Sequence, residues 1–248
     1  CIAGVDENKQ YGDYKLWKSV DYAEASIYEL TSFCKDLFPD NEFTVYVPPS
    51  NILSETGREA LLSANPEIKT ISSTYLVDAE NIAYVQEFCV EDDGIVSAPR
   101  ITSGCEIDDY QMISALSELN YHYVQSHFMH PDDVLDEDRG AADGWESMSQ
   151  KFEGYLEWVY EAAPDIRNLT GSELGRAVEV FDTLSVKREY KDNELDVELG
   201  GFTGEAQLML RINKGSITET SGCEYEKLAG NLYLIKANSS KIKIYLGE

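Results

Sequence analysis

The sequence predicts an α/β domain followed by a small antiparallel β module. Helical and extended patterns alternate from Asp21 to Ser72, as they do where helices flank a parallel sheet. A run from Tyr121 to Phe128 reads as a later strand and opens into a histidine-bearing loop. From residue 186 onward apolar residues recur with period two, the pattern of half-buried antiparallel strands. The boundary therefore falls near residue 186, with domains 1–185 and 186–248.

In the first domain, Ile27, Leu30, Cys34 and Leu37 recur at helical spacing, and Pro39-Asp40-Asn41 ends that helix. Phe43 to Val47 is a strand, stopped by Pro48-Pro49-Ser50-Asn51. Ser54 caps a helix running to about Ala64, and Ile68 to Ser72 is the next strand. Val85 to Val90 and Gly94 to Ala98 read as strands leading to Pro99-Arg100. Asp108 or Asp109 caps a helix through Leu119, and residues 131–144 form a long acidic loop. Trp145, Met148, Phe152, Tyr155, Leu156 and Val159 give the next helix an apolar stripe, which Pro164 ends. Thr170 and Glu173 have capping-box spacing before a helix whose buried stripe is Leu174, Val178, Phe181 and Leu184. In the second domain Leu195-Val197-Leu199, Leu208-Leu210-Ile212, Leu232-Leu234 and Ile242-Ile244-Leu246 alternate between Gly- and Asn-rich turns, which predicts a small sandwich.

Composition narrows the function. Apolar residues make up 43% and the net charge is −26. Such a surface repels phosphate backbones and anionic lipid, so nucleic acid is excluded as a partner class. It suits neutral or cationic glycans, and equally plain solvation. No apolar run reaches membrane-span length, so no membrane insertion is expected. Five cysteines without a CxxC pair argue against a zinc knuckle or disulfide framework, and Cys34, Cys89 and Cys105 read as small core residues. Cys1 fits either a mature bacterial lipoprotein or a piece of a longer chain.

The densest chemistry lies in Ser126-His127-Phe128-Met129-His130-Pro131-Asp132-Asp133, which holds two of the three histidines. In α/β sheets ligands bind beyond the carboxyl ends of strands. Imidazole there can move protons near neutral pH, and His with Asp can hold a divalent metal. Residues three apart on a strand face opposite sides, so both rings converge only if the chain bends. His127, His130 and Asp132 are the catalytic candidates. Pro49, Ser50, Asn51, Arg100, Asp133 and Trp145 are the substrate-binding candidates. Arg100 either orients a carboxylate or substrate hydroxyl, or is a surface arginine. Trp145 either packs in the core or stacks on a sugar.

Tyr46-Val47-Pro48-Pro49-Ser50-Asn51, Pro99-Arg100-Ile101-Thr102-Ser103-Gly104, the His-Pro-Asp-Asp loop and Leu169-Thr170-Gly171-Ser172-Glu173 together resemble a family of bacterial surface proteins. That family is related to the NodB-type polysaccharide deacetylases, including the deacetylase part of the Pel exopolysaccharide protein. The resemblance covers about residues 11–246. It implies an incomplete (β/α) barrel, an extracytoplasmic location, a polysaccharide substrate, and acetyl hydrolysis by zinc-activated water. The His127–His130 loop matches the late strand whose histidine protonates the leaving group. Pro48 to Asn51 matches the third motif in part, lacking its arginine. The early Thr-Phe-Asp-Asp and His-x-x-x-His motifs, which supply the metal ligands, have no counterpart, and no histidine precedes Pro48. The expectation is a fragment of a metal-dependent deacetylase whose metal-binding half lies elsewhere. The alternatives are a glycoside hydrolase or lyase of a related barrel, and a non-catalytic glycan-binding or assembly protein.

Overall fold

A computed structural model describes residues 10–11, 14–15, 17–51, 53–72 and 87–247. The chain divides into two compact units, Cys1–Gly175 and Arg176–Glu248.

The first unit is mixed α/β. A short antiparallel pair, β1 (Gln10–Tyr11) and β2 (Tyr14–Lys15), precedes helix α1 (Val20–Leu37). Ser19 caps α1 by accepting the Tyr22 N–H, and Ser54 caps α2 (Glu55–Ala64) through the Gly57 N–H. Each cap satisfies an amide that the first helical turn leaves unbonded. Strands β3 (Val45–Tyr46), β4 (Thr70–Ile71), β5 (Cys89–Val90) and β6 (Val96–Ser97) form one sheet in the order β3-β4-β6-β5. β3, β4 and β6 run parallel, and β5 joins β6 antiparallel. Ile27, Leu53, Leu61, Ile68, Ile71 and Ile95 bury a common core between α1, α2 and this sheet. Each such side chain contributes about 1.5–3 kcal/mol when fully removed from water.

A separate parallel pair carries the histidine loop: β7 (Thr102–Ser103) against β8 (His127–Phe128). Between them runs α3 (Asp109–Tyr121), capped by Asp108. Helix α4 (Gly144–Ala162) packs Tyr155 and Val159 against Ala115 of α3. Helix α5 (Gly171–Thr183) begins at a reciprocal capping box: Thr170 N–H donates to Glu173 Oε2 at 2.7 Å and Glu173 N–H to Thr170 Oγ1 at 3.3 Å. Its first turn lies so close to β4 that a Cβ on Gly175 would overlap the Thr70 hydroxyl.

The second unit is a two-sheet antiparallel sandwich. Its strands are β9 (Ser185–Lys191), β10 (Glu194–Gly200), β11 (Ala206–Arg211), β12 (Ser216–Ser221), β13 (Cys223–Ala229), β14 (Leu232–Ala237) and β15 (Lys241–Gly247). The sheets have orders β12-β15-β10-β9 and β11-β14-β13, and enclose Val197, Leu199, Ile212, Tyr233, Ile235, Ile242 and Ile244.

Among the described residues no sheet closes into a barrel, and a mixed α/β unit is followed by an antiparallel β module. Several local expectations are corrected. Of the strand expected from Tyr121 to Phe128 only His127–Phe128 forms, because α3 runs on to Tyr121, Tyr123 leaves it with φ 58°, and residues 124–126 are irregular. The acidic loop is three 3-10 turns, Asp133–Leu135, Glu137–Arg139 and Ala141–Asp143, broken by left-handed Gly140. Leu30, Leu37, Phe181 and Trp145 are exposed, since helical periodicity marks a wider stripe than the neighbouring elements cover. Cys105 is buried, whereas Cys34 and Cys89 are only partly so. Cys1 and the start of the strand expected at Val85 lie outside the described residues.

Candidate active site

The carboxyl ends of β3, β6 and β8 are brought together. Pro48 and Pro99, both fully buried, end the first two strands. After Pro48 the chain makes a single 3-10 turn, Pro49–Asn51, whose last residue sits in the left-handed region at φ 58°. Asparagine tolerates that conformation better than most side chains. Its side-chain oxygen accepts a 2.9 Å hydrogen bond from the Arg100 guanidinium, tying the β3 and β6 loops together. Arg100 in turn stacks 4.1 Å above the Phe128 ring of β8. Arg139 lies 5.8 Å from the same ring.

His130 and Asp133 complete the cluster. The 3-10 turn beginning at Asp133 folds its carboxylate back, so that Oδ2 accepts the His130 N–H at 3.1 Å. Oδ1 lies 3.7 Å from His130 Nδ1 and 3.5 Å from Arg139 Nε, within ion-pair reach. Asp133 is 3% exposed while the His130 side chain is 51% exposed. A buried carboxylate thus lies within ion-pair reach of Nδ1 of an open imidazole, whose Nε2 has no partner among the described residues. That arrangement suits proton transfer at Nε2.

His127 is placed differently. Its Nε2 lies 2.8 Å from the Gly104 carbonyl, which only accepts, so Nε2 carries the proton. Its Nδ1, 3.0 Å from the Thr102 hydroxyl, is then the acceptor. The ring packs 5.0 Å from Phe152 and 5.3 Å from Tyr155. Burial pushes its pKa down, against the pull of the Gly104 bond and the Asp133 charge. Both nitrogens are taken by the protein, so His127 joins β7, β8 and α4, while the open imidazole of the expected pair is His130.

The remaining candidates separate as follows. Asp132 is exposed and makes no capping bond, so the carboxylate beside the imidazole is Asp133, expected only to bind substrate. Asn51 and Arg100 join the cluster, and Pro49 shapes the turn holding Asn51. The side chain of Ser50 lies outside the described residues. Trp145 is exposed in the first turn of α4 and, among the described residues, makes no ring contact with this cluster. No three His, Cys, Asp or Glu among the described residues gather to hold a metal.

Three participants escaped the sequence reading. Arg139 is the one basic residue between Asp132 and Asp143, a signal that was available. Glu118, 2% exposed on α3, accepts the Ser126 N–H at 3.1 Å through Oε2, while Oε1 has no partner among the described residues. Burial pushes its carboxyl up to about 8, with the Ser126 N–H pulling in the opposite direction. Its spacing of three from Ala115 put a carboxylate in an apolar stripe, and that too was legible. Gln125 bridges the Thr102 and Tyr155 hydroxyls at 3.0 and 2.6 Å, a contact no pattern announces.

Residues 8–234 match the model of DUF2194, described as an uncharacterised protein conserved in bacteria. The chain belongs to that family. No curated protein and no solved structure matches it. Among the described residues no helix is long and apolar enough to cross a membrane.

Proposed function

We propose that this chain supplies the proton-donating and substrate-orienting edge of a site that removes acetyl groups from a bacterial exopolysaccharide outside the cytoplasm. The observation that carries the reading is the buried Asp133 carboxylate behind the exposed His130 ring, at the carboxyl ends of β3, β6 and β8. In acetyl hydrolysis the bond between the carbonyl carbon and the sugar nitrogen or oxygen breaks, and water supplies the new C–O bond. The departing amine or alkoxide needs a proton. Protonated His130 donates it from Nε2, with Asp133 balancing the positive charge of the imidazolium, and the proton shed by the attacking water restores the imidazolium. Arg100, fixed by Asn51 and Phe128, offers planar N–H donors for glycan hydroxyl or carbonyl oxygens.

A glycosidase reading rests on two inward carboxylates about 5–10 Å apart. Here Asp132 is exposed and Asp133 is engaged by His130 and Arg139, which favours acyl transfer. The test is acetate release from partially acetylated glucosamine or galactosamine polymers by the gene-encoded protein, with zinc or cobalt supplied. Release is expected, and His130→Ala should lower kcat about 10²–10⁴-fold while glycan binding persists. No release by the parent protein overturns the proposal. Glycan binding without release would instead establish the non-catalytic alternative.

A further inference from the structure

The sandwich has an uncovered edge. Strand β9 pairs with β10 on one side only and ends its sheet. All seven of its residues are exposed, Val186 and Tyr190 at 51% and 60%. Their register explains why this is unusual. Val186, Arg188 and Tyr190 stand opposite Leu199, Val197 and Leu195 of β10. Those three β10 residues belong to the sandwich core or pack against it. The inner side of the core sheet therefore continues onto β9 and stays open to water there.

Edge strands usually carry a device against pairing, such as a bulge, a proline or unpaired lysines. The registers of β12 and β13 are broken at Ile217/Glu219 and Lys227/Ala229. β9 is unbroken over its whole length and has neither Pro nor Gly. It does carry Lys187, Arg188 and Lys191, with a single acid, Glu189. The placement of that acid decides the matter.

We propose that β9 is a self-pairing edge, joining two copies of this chain antiparallel about a two-fold axis at Arg188. In that register Lys187 faces Glu189 of the second copy, twice, on the outer side of the sheet. Val186 faces Tyr190 of the second copy, twice, on the inner side. A β-branched residue beside an aromatic and a lysine beside a glutamate are both favourable cross-strand pairs. Within one chain Glu189 is bonded to Lys191 at 2.7 Å, but both side chains are largely exposed, so that bond exchanges readily. The one like-charged opposition is Arg188 with its own copy. That opposition is unfavourable and is set against four favourable pairs, two Lys187–Glu189 and two Val186–Tyr190. Four sheet strands from each copy would then form one eight-stranded sheet, and the open Val186–Tyr190 side would be covered. β11, the other regular edge, has no acid to match its Arg211 and offers no such charge pairing.

Sedimentation equilibrium of the whole protein over a wide concentration range tests this. The parent chain is expected to dimerise reversibly. Lys187→Glu puts two acids against each other, and Glu189→Lys two lysines. Each should weaken dimerisation about tenfold. The double variant Lys187→Glu/Glu189→Lys restores both pairs and should restore the dimer. Thermal melts show whether each variant folds, and all the changes lie on exposed positions. A parent chain that stays monomeric overturns the proposal, as does a double variant as weak as the singles. A dimer indifferent to all three variants places the interface elsewhere and also overturns it. A monomer that instead captures an acidic extended peptide on β9 assigns the edge to another partner and refutes self-pairing.

Discussion

Replacing Glu118 by Gln should change how stability depends on pH. Glu118 is buried in α3 and its carboxyl is raised from the usual 4.5 to about 8. The folded state holds this proton more tightly than the unfolded chain does. Its contribution is therefore fully present below pH 4.5 and is lost as pH rises through about 8. The gap, 8 − 4.5, is about 3.5 pH units, and each is worth about 1.4 kcal/mol, which sets an upper figure of about 5 kcal/mol. The Glu118→Gln variant keeps an acceptor for the Ser126 N–H and has no proton to lose. Below pH 4.5 the two proteins should differ by less than about 1 kcal/mol. At about pH 9 the variant should be the more stable by several kcal/mol. Urea denaturation of both proteins across that range gives the difference directly and cancels the titration of the other carboxylates. Parallel stability curves for parent and variant would refute a buried, proton-bearing Glu118. Because Ser126 immediately precedes β8, the same titration loosens the strand that carries the His130 loop.

The two histidines should part company in stability measurements. His127→Ala loses two hydrogen bonds and packing against Phe152 and Tyr155, a cost of about 2–4 kcal/mol by denaturant unfolding. His130→Ala removes an exposed ring and should cost less than about 1 kcal/mol, so the reverse ranking would exchange their roles. Gly222→Ala should destabilise the sandwich by about 2 kcal/mol or more. Gly222 has φ 75°, and a Cβ there would overlap the Lys241 carbonyl oxygen. A variant melting within about a degree of the parent would contradict that close approach.

What could be read along the chain was local. Ser54, Asp108 and the Thr170–Glu173 box announce helix starts because each bonds an amide three residues away, whereas the Ser19 cap went unread. The period-two runs after residue 186 announce the sandwich because strand faces alternate by residue, whatever the partner strand. The histidine loop was legible as a candidate site because histidine is scarce here and lies at a strand end. The tail of α3 was misread because Tyr121 to Phe128 mixes aromatic and polar residues that suit either state. Phe181 was expected in a buried stripe and is exposed, because a periodic pattern says nothing about what lies beside it.

Tertiary structure alone decided which candidate groups are open and which are engaged. His127 and His130 are equivalent as residue types. The parallel pairing of Thr102 with His127 closes one ring onto Gly104, and the turn at Asp133 leaves the other open. Asn51 and Arg100 are 49 residues apart in sequence, and meet because two strands of one parallel sheet end on the same side. Composition and spacing determine which elements form, since caps and periodicity act within a few residues. Which nitrogen is free and which carboxylate is buried depend on contacts between segments far apart in the chain, and only the folded chain sets those distances.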